Sequence, residues 1–410
     1  MYSWQYLNNL ILQSTELMEN RYKDIQNTEA NIDKTSDWQK RVFSHPERTI
    51  RLGTSFSGIG AIEQAFKRLG LKTEILFAGD IDANCKKAYF ANYDITDERW
   101  HEDIHDFDAT PYKGKVDLFV GGAPCQAFSL RGKHGGFDDT RGTLFREFAR
   151  VVKECQPKIF IFENVKGMLY HDKGNTWEVI KNTFEEYCGY QIYYQVLNSK
   201  NYGVPQGRDR IYCIGFREDT DFKYPAPINL EKSMYDMLED KIEDKYFLKE
   251  KGFRFVTQSV NHSKSYTQIN GTIQLCQKRN QQFNWHGDFI FHPYTDESNQ
   301  PSGFMSIIHD VKEAQESYYT KADVDKRTIY PDGNGNHMMR RNESVSCDSS
   351  RGWFRKLTPR ECLRLMGFDD SFKIVVSDTE TYKQSGNSIV VDVLIALLKQ
   401  LDITKYGNKD

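Results

Sequence analysis

Between Ile50 and Phe216 the chain alternates short apolar runs with segments whose apolar positions recur at helical spacing. Arg51–Phe56, Glu74–Ala78, Val116–Val120, Lys158–Phe162, Gln191–Val196 and Arg210–Phe216 are predicted as strands. Ala61–Leu69, Ala83–Ala91, Thr143–Lys153 and Thr176–Tyr187 are predicted as the helices between them. Such alternation implies an α/β domain with a mainly parallel sheet covered on both faces. Ligands of these folds sit beyond the carboxyl ends of the strands, so chemistry is expected just after each run.

The pattern changes after Pro225-Ala226-Pro227. Residues 228–354 are rich in Asn, Gln, Ser and His without regular alternation, and read as a second, loop-rich domain. From Leu357 helical spacing returns, with Pro359 near a helix start, Thr358 as its cap, and a further helix from Ser388 to Leu401. The first 48 residues are a polar extension in which Leu7, Leu10, Ile11, Leu17 and Met18 fit one helical face. The expected division is therefore 1–48, a helical extension; 49–226, the α/β domain; 227–355, the loop-rich domain; and 356–410, helices returning to the first domain.

Composition narrows the class. The 410 residues are 39% hydrophobic and 28% charged with a net charge of −3, too apolar and too nearly neutral for a disordered chain. No apolar stretch approaches the roughly 18 residues of a membrane span, and Ile389–Leu398 is broken by Asp392. The first 30 residues lack an apolar core of the secretory type, so a cytoplasmic protein is expected. Eight scattered cysteines without a C-x-x-C pair argue against a zinc site and against a disulfide framework. Charge is uneven: residues 326–360 hold eight Lys and Arg against three acids, a stretch able to meet phosphates or to form a solvated face.

The candidate chemistry lies at the predicted strand ends. Gly58 and Gly60, between the first strand and the first helix, allow a ligand close to the backbone. Asp80 follows the second strand, where a carboxylate can accept ribose hydroxyls; Asp82 better suits a helix cap. Asp103, before Ile104, could face the adenine end of the same cofactor. Cys125 sits in the loop Gly121-Gly122-Ala123-Pro124-Cys125, either as a packing residue or as a thiol open to a cleft. Glu163 follows an apolar strand, either as a satisfied structural carboxylate or as a proton donor whose pKa burial has raised. Arg208 and Arg210 stand at i and i+2, on one side of an extended strand, able to clamp an oxygen or a phosphate or to pair with acids of the cleft.

The set Phe56-x-Gly58-x-Gly60, Pro124-Cys125-Gln126, Glu163-Asn164-Val165, Gln206-x-Arg208-x-Arg210 and Gly386-Asn387-Ser388 resembles, in order and spacing, the bacterial cytosine-5 DNA methyltransferases of restriction–modification type. The likeness runs from about Ile50 to Leu401. It implies a Rossmann-like S-adenosylmethionine-dependent methyltransferase domain with a smaller target-recognition domain. It also implies Cys125 as the nucleophile on cytosine C6, Glu163 at N3 and the amine, Arg210 at O2, and Arg208 supporting the loop and Cys125. For S-adenosyl-L-methionine it implies Phe56, Gly58, Ile59, Gly60, Asp80, Ile81, Asp103, Ile104, Gly122, Pro124, Leu144 and Asn387. Thr54 stands where many members have Asp, Ala61 where a third Gly is common, and Ile81 where an aromatic is frequent. The implied partner is double-stranded DNA, its target base flipped into a pocket closed by the loop Ser129–Thr140. A monomer is expected, with a cognate restriction endonuclease as a companion on the same site.

Other functions fit less of the sequence. One branch of this family modifies tRNA cytosine, but the long polar domain favours DNA. A non-catalytic DNA-binding protein on this scaffold would not need Cys125, Glu163, Arg208 and Arg210 intact. A Rossmann dehydrogenase leaves Cys125 and Glu163 without work, and a simple thiol enzyme has only the distant His134 as a base.

Overall fold

The computed structural model describes residues 31–124, 144–257, 267–280, 286–293, 329–331, 337–339 and 352–408. The order begins β1 (Ile32–Asp33), β2 (Ile50–Ser55), α1 (Ala61–Leu69), β3 (Thr73–Gly79), α2 (Ala83–Asn92), β4 (Trp100–His101) and β5 (Leu118–Gly121). It continues with α3 (Leu144–Cys155), β6 (Ile159–Val165), α4 (Asn175–Asn182), β7 (Gln191–Asn198), β8 (Asp209–Phe216) and β9 (Tyr224–Pro225). Then come α5 (Glu250–Thr257), β10 (Thr267–Ile269), β11 (Gly287–Pro293), β12 (Ile329–Pro331), β13 (His337–Met339) and β14 (Gly352–Lys356). The chain closes with α6 (Pro359–Arg364), α7 (Asp378–Asn387) and α8 (Val391–Leu401).

Seven strands form the central sheet in the order β4-β3-β2-β5-β6-β8-β7. Only β8 runs against its neighbours; the other pairings are parallel. Strand alternation divides the core by chemistry. Leu118, Val120, Ile159 and Ile161 point into an aliphatic layer with α1 and α8, whereas Phe119, Phe160 and Phe162 join Phe145 and Phe148 of α3 in an aromatic layer. Burial on both faces explains why these strands read as continuous apolar runs. Each fully buried side chain of this size contributes about 1.5–3 kcal/mol.

The order reverses direction between β2 and β5, where Ser55 and Gly121 are register partners. This is the switch point at which an open α/β sheet forms its ligand crevice. A Cβ on Gly121 would stand 2.4 Å from the Ser55 carbonyl oxygen, so the close meeting of the two strand ends requires glycine.

Thr358 and Glu361 form a capping box at α6, with Pro359 in the first turn, as the sequence predicts. Glu361 also makes a bidentate pair with Arg355 of β14, at 2.7 and 2.9 Å, with both side chains buried. This pair fastens the small sheet β10-β11-β14 to the returning helices. That sheet and the pair β12-β13 depart from the irregular reading of residues 228–354: their strands are short and widely separated by polar sequence, which hides the period of two. Two-residue β4 and polar α7 were likewise not expected, and α8 begins at Val391 rather than Ser388. Helix α4 stops at Asn182 and continues as a wider turn, Thr183–Tyr187, where the Thr183 hydroxyl bonds back to Val179 O at 2.7 Å.

Residues 31–48 are a strap. β1 pairs with β9, Trp38 is buried with its indole N–H on Ala226 O at 2.9 Å, and Ser36 and Arg41 bond Gln400 at the end of α8. The helical face expected at Leu7–Met18 lies outside the described residues.

Candidate active site

The crevice has two sides. On the first, β2 runs into a loop with left-handed backbone at Phe56 (φ 54°), Gly58 (φ 56°) and Gly60 (φ 78°). Such a conformation at a non-glycine residue is uncommon and gathers at functional sites, so Phe56 marks the loop as more than a connection. The Asp80 carboxylate accepts Gly58 N–H and Asp82 N–H, each at 2.9 Å. Both oxygens are thereby fixed and both keep acceptor capacity for further donors. Asp82 caps α2 through Asn84 N–H, so the two acids divide the roles that the sequence left open. Ile59 is buried, while Ile81 is 77% exposed beside Asp80, an apolar side chain without cover.

Asp103 binds His105 through its backbone N–H (3.0 Å) and Nδ1 (2.6 Å), which holds its carboxyl below the usual carboxylate range. Ile104 is buried. Leu144 opens α3 half-buried, Pro124 is exposed beyond β5, and Asn387 ends α7 exposed to solvent. Fixed carboxylate oxygens, a tight glycine turn and an uncovered apolar side chain fit a ribose-bearing cofactor of the S-adenosylmethionine type. Asp80→Ala is expected to weaken binding of that donor by about 10–100-fold, the loss of one or two charge-assisted hydrogen bonds. Titration calorimetry with the donor alone checks this.

On the second side, Glu163 and Arg210 lie on adjacent antiparallel strands. Arg210 pairs in register with Val165, two residues along from Glu163 and on the same face, so the two side chains meet diagonally. Arg210 Nε stands 3.1 Å from Glu163 Oε1, an ion-pair contact whose alignment leaves that oxygen without a hydrogen bond. Burial pushes the Glu163 carboxyl up, while Arg210 and Arg208 pull it back. The preceding turn is close: a side chain on Gly122 would approach Glu163 Oε2 to 3.1 Å, and Asn164 Nδ2 donates to Ala123 O at 2.8 Å. Cys125 follows Pro124 in sequence and, with the loop Ser129–Thr140, lies outside the described residues.

Arg208 departs from the strand-side clamp. β8 begins at Asp209, so Arg208 lies before the strand, and its hydrogen bonds go elsewhere than to Glu163. Its buried guanidinium donates to Gln277 O (2.7 Å), Ser388 O (2.9 Å) and Gly386 O (3.2 Å). It therefore positions the turn that carries Asn387. Gln277, which sequence reasoning missed, completes the interlock through Ser385 Oγ (2.6 Å) and Gln206 Oε1 (3.1 Å). Arg208→Ala would strand these carbonyls in a dry site and is expected to cost at least about 2 kcal/mol of stability. Thermal melts, with donor affinity measured in parallel, check this.

Six free cysteines fall among the described residues. Burial pushes the thiols of Cys85, Cys155, Cys188, Cys213 and Cys362 up, which makes each a poor nucleophile. Cys276 is half-buried, with its thiol on Gln277 O. No described helix is long and apolar enough to cross a membrane.

Residues 50–402 match the family described as C-5 cytosine-specific DNA methylase. The chain is 34% identical to the Type II methyltransferase M.HpaII of Haemophilus parainfluenzae, over 86% of this chain and 89% of that protein. It is 30% identical to the orphan methyltransferase M.SPRI of Bacillus phage SPR, over 88% of this chain and 99% of that protein. In fold it is similar to the crystal structure of a DNMT2 mutant of Spodoptera frugiperda, with a TM-score of 0.60 at 21% identity, covering 86% of this chain and 99% of that one. With its crevice at the β2/β5 switch point and its match over most of its length, the chain belongs to the C-5 cytosine-specific DNA methylases, enzymes that take a methyl group from S-adenosylmethionine to C5 of cytosine in DNA.

Proposed function

We propose that the crevice methylates one cytosine within a specific short double-stranded DNA sequence, with the base flipped out of the helix and bound covalently to Cys125 during transfer. The observation that carries this reading is the buried Glu163 carboxyl. It faces Arg210, keeps one oxygen free of hydrogen bonds, and lies against the turn that leads to Cys125. A base stacked in a duplex cannot enter such a pocket, hence the flip.

Cytosine C5 is a weak nucleophile. Addition of the Cys125 thiolate to C6 forms an Sγ–C6 bond and moves ring electrons toward C5 and N3. Glu163 gives its proton to N3 as that charge develops, and Arg210 holds O2. When bound, S-adenosylmethionine supplies the electrophilic methyl group that C5 accepts. Loss of the C5 proton to solvent forms the C5–C6 double bond, expels Cys125 as the thiolate with the Sγ–C6 electron pair, and returns the N3 proton to the Glu163 carboxylate, which restores the ring.

On the donor side, Phe56 stacks near the adenine, Asp80 holds the ribose, and Asp103 with Ile104 borders the adenine. Gly58, Ile59 and Gly60 form the loop, Ile81 supplies its apolar cover, and Gly122, Pro124, Leu144 and Asn387 complete the pocket. Residues 49–226 and 356–410 form the catalytic domain in this proposal, and 227–355 the target-recognition domain. The protein acts as a monomer in the cytoplasm, and a restriction endonuclease cutting the same sequence is its companion.

Methylation sequencing of genomic DNA from a methylation-deficient bacterial host expressing the chain tests this. One short motif carrying 5-methylcytosine is the expected result. An unmodified genome alongside soluble, folded protein would overturn the DNA assignment and move the assay to tRNA.

A further inference from the structure

Beneath the donor loop lies a buried polar cluster that the reaction above does not use. Glu63, in the first turn of α1, is 4% exposed, and its Oε1 accepts a hydrogen bond from the Tyr89 hydroxyl of α2 and another from Thr54 Oγ1 of β2 at 3.4 Å. Its second oxygen is buried without a partner. Thr54 also bonds Ser57 Oγ at 2.7 Å, and Ser57 Oγ accepts Gly79 N–H at 2.9 Å, immediately before Asp80. From the other side the Tyr93 hydroxyl donates to Gly60 O at 2.7 Å and Ile59 O at 3.2 Å. The Tyr93 ring packs so closely that a Cβ on Gly60 would stand 2.2 Å from it. The rings of Tyr89 and Tyr93 meet edge to face at 4.8 Å. The loop that would touch the donor is therefore tied to β2, β3 and α2 by hydroxyl and carboxyl groups converging from below.

We propose that Glu63 and Tyr93 are positioning residues for the methyl donor: they hold the Phe56–Gly60 turn in the shape that presents Gly58 N–H to Asp80. The proposal rests on the donor-side assignment above. Burial raises the Glu63 carboxyl to about 7, with Tyr89 and Thr54 opposing the shift. The groups that face it are Tyr89 of α2, Tyr93 just past the end of α2, and Thr54 from β2; Asp369 bears on Tyr93, and Arg68 at the far end of α1 is held by Asp392. No cation is among the groups acting on Glu63, so its ionised form stands in a dry site without a counter-charge. Ionising Glu63 would place a charge on that unpartnered buried oxygen and loosen the cluster, so the protonated form holds the turn in its donor-presenting shape. By linkage, donor binding is then strongest below about pH 7, where Glu63 carries its proton, and weakens as the pH rises above it.

Titration calorimetry with S-adenosylmethionine, from pH 6 to 8.5, tests this on the full chain as wild type, Glu63→Gln, Tyr93→Phe and Asp80→Ala. Wild-type affinity is expected to fall by about three- to tenfold across the range, and the Glu63→Gln profile to be flat. Tyr93→Phe, which removes only a hydroxyl, is expected to raise the donor Kd by about fivefold, the worth of one hydrogen bond, with the KM for DNA unchanged. A wild-type profile that is flat, or one that Glu63→Gln shares, overturns the proposal. So does an unchanged donor Kd in Tyr93→Phe, a test that holds even if Glu63→Gln does not fold. Normal binding by Asp80→Ala would locate the failure in the donor-side assignment itself.

Discussion

Cys125→Ala is expected to abolish methyl transfer while leaving the fold and donor affinity intact. The chemistry demands this: without the thiolate there is no electron flow into C5. The described part of the site prepares the position. β5 ends at Gly121, the turn continues through Gly122 against Glu163, and Asn164 pins Ala123 just before Pro124 and Cys125. Five of the six described cysteines are buried with raised thiols, so they cannot take over the role. Methyl transfer to DNA measured beside donor titration checks both halves of the prediction. Residual turnover above about one part in 10³ would remove Cys125 from its role.

Glu163→Gln is expected to slow transfer by about 10²–10⁴-fold, the range for a lost general acid. Gln keeps the shape and a hydrogen-bond donor but has no proton to give to N3. The wild-type site favours the protonated acid because burial raises its pKa, against the pull of Arg210 and Arg208. The sign follows: the proton-carrying form persists to higher pH than in an exposed Glu and is lost as pH rises through the raised value. The rate should fall on that side, and in Glu163→Gln this limb should vanish from the single-turnover pH profile. A wild-type rate in the variant would show the carboxylate to be structural.

Much of the scaffold was legible because strands buried on both faces must be continuously apolar. All six predicted runs became strands of the central sheet, and α1 fell on Ala61–Leu69 as predicted. Asp82 and Thr358 were legible as caps because their roles are local. What depends on tertiary context was not. Arg208 and Arg210 share a strand face only if the strand includes both, and β8 starts between them, so one arginine meets Glu163 and the other meets the carbonyls around Asn387. Glu63 was not singled out, because an acid in a helix's first turn is ordinary, favoured there by the helix dipole, and its burial comes from the packing of Tyr89 and Thr54 around it. Gln277 gave no sign at all, because its partners Gln206, Ser385 and Arg208 are far apart in the chain.

The most direct test of Cys125-based cytosine-5 methylation is covalent trapping on DNA that carries 5-fluorocytosine at the target position. Once the methyl group is on C5, fluorine cannot leave as the proton does, so the Sγ–C6 bond persists. Peptide mapping by mass spectrometry is predicted to find the methylated base on the Cys125 peptide, only when S-adenosylmethionine is present and not in Cys125→Ala. DNA that becomes methylated elsewhere without an adduct, or an adduct on another cysteine, would contradict it.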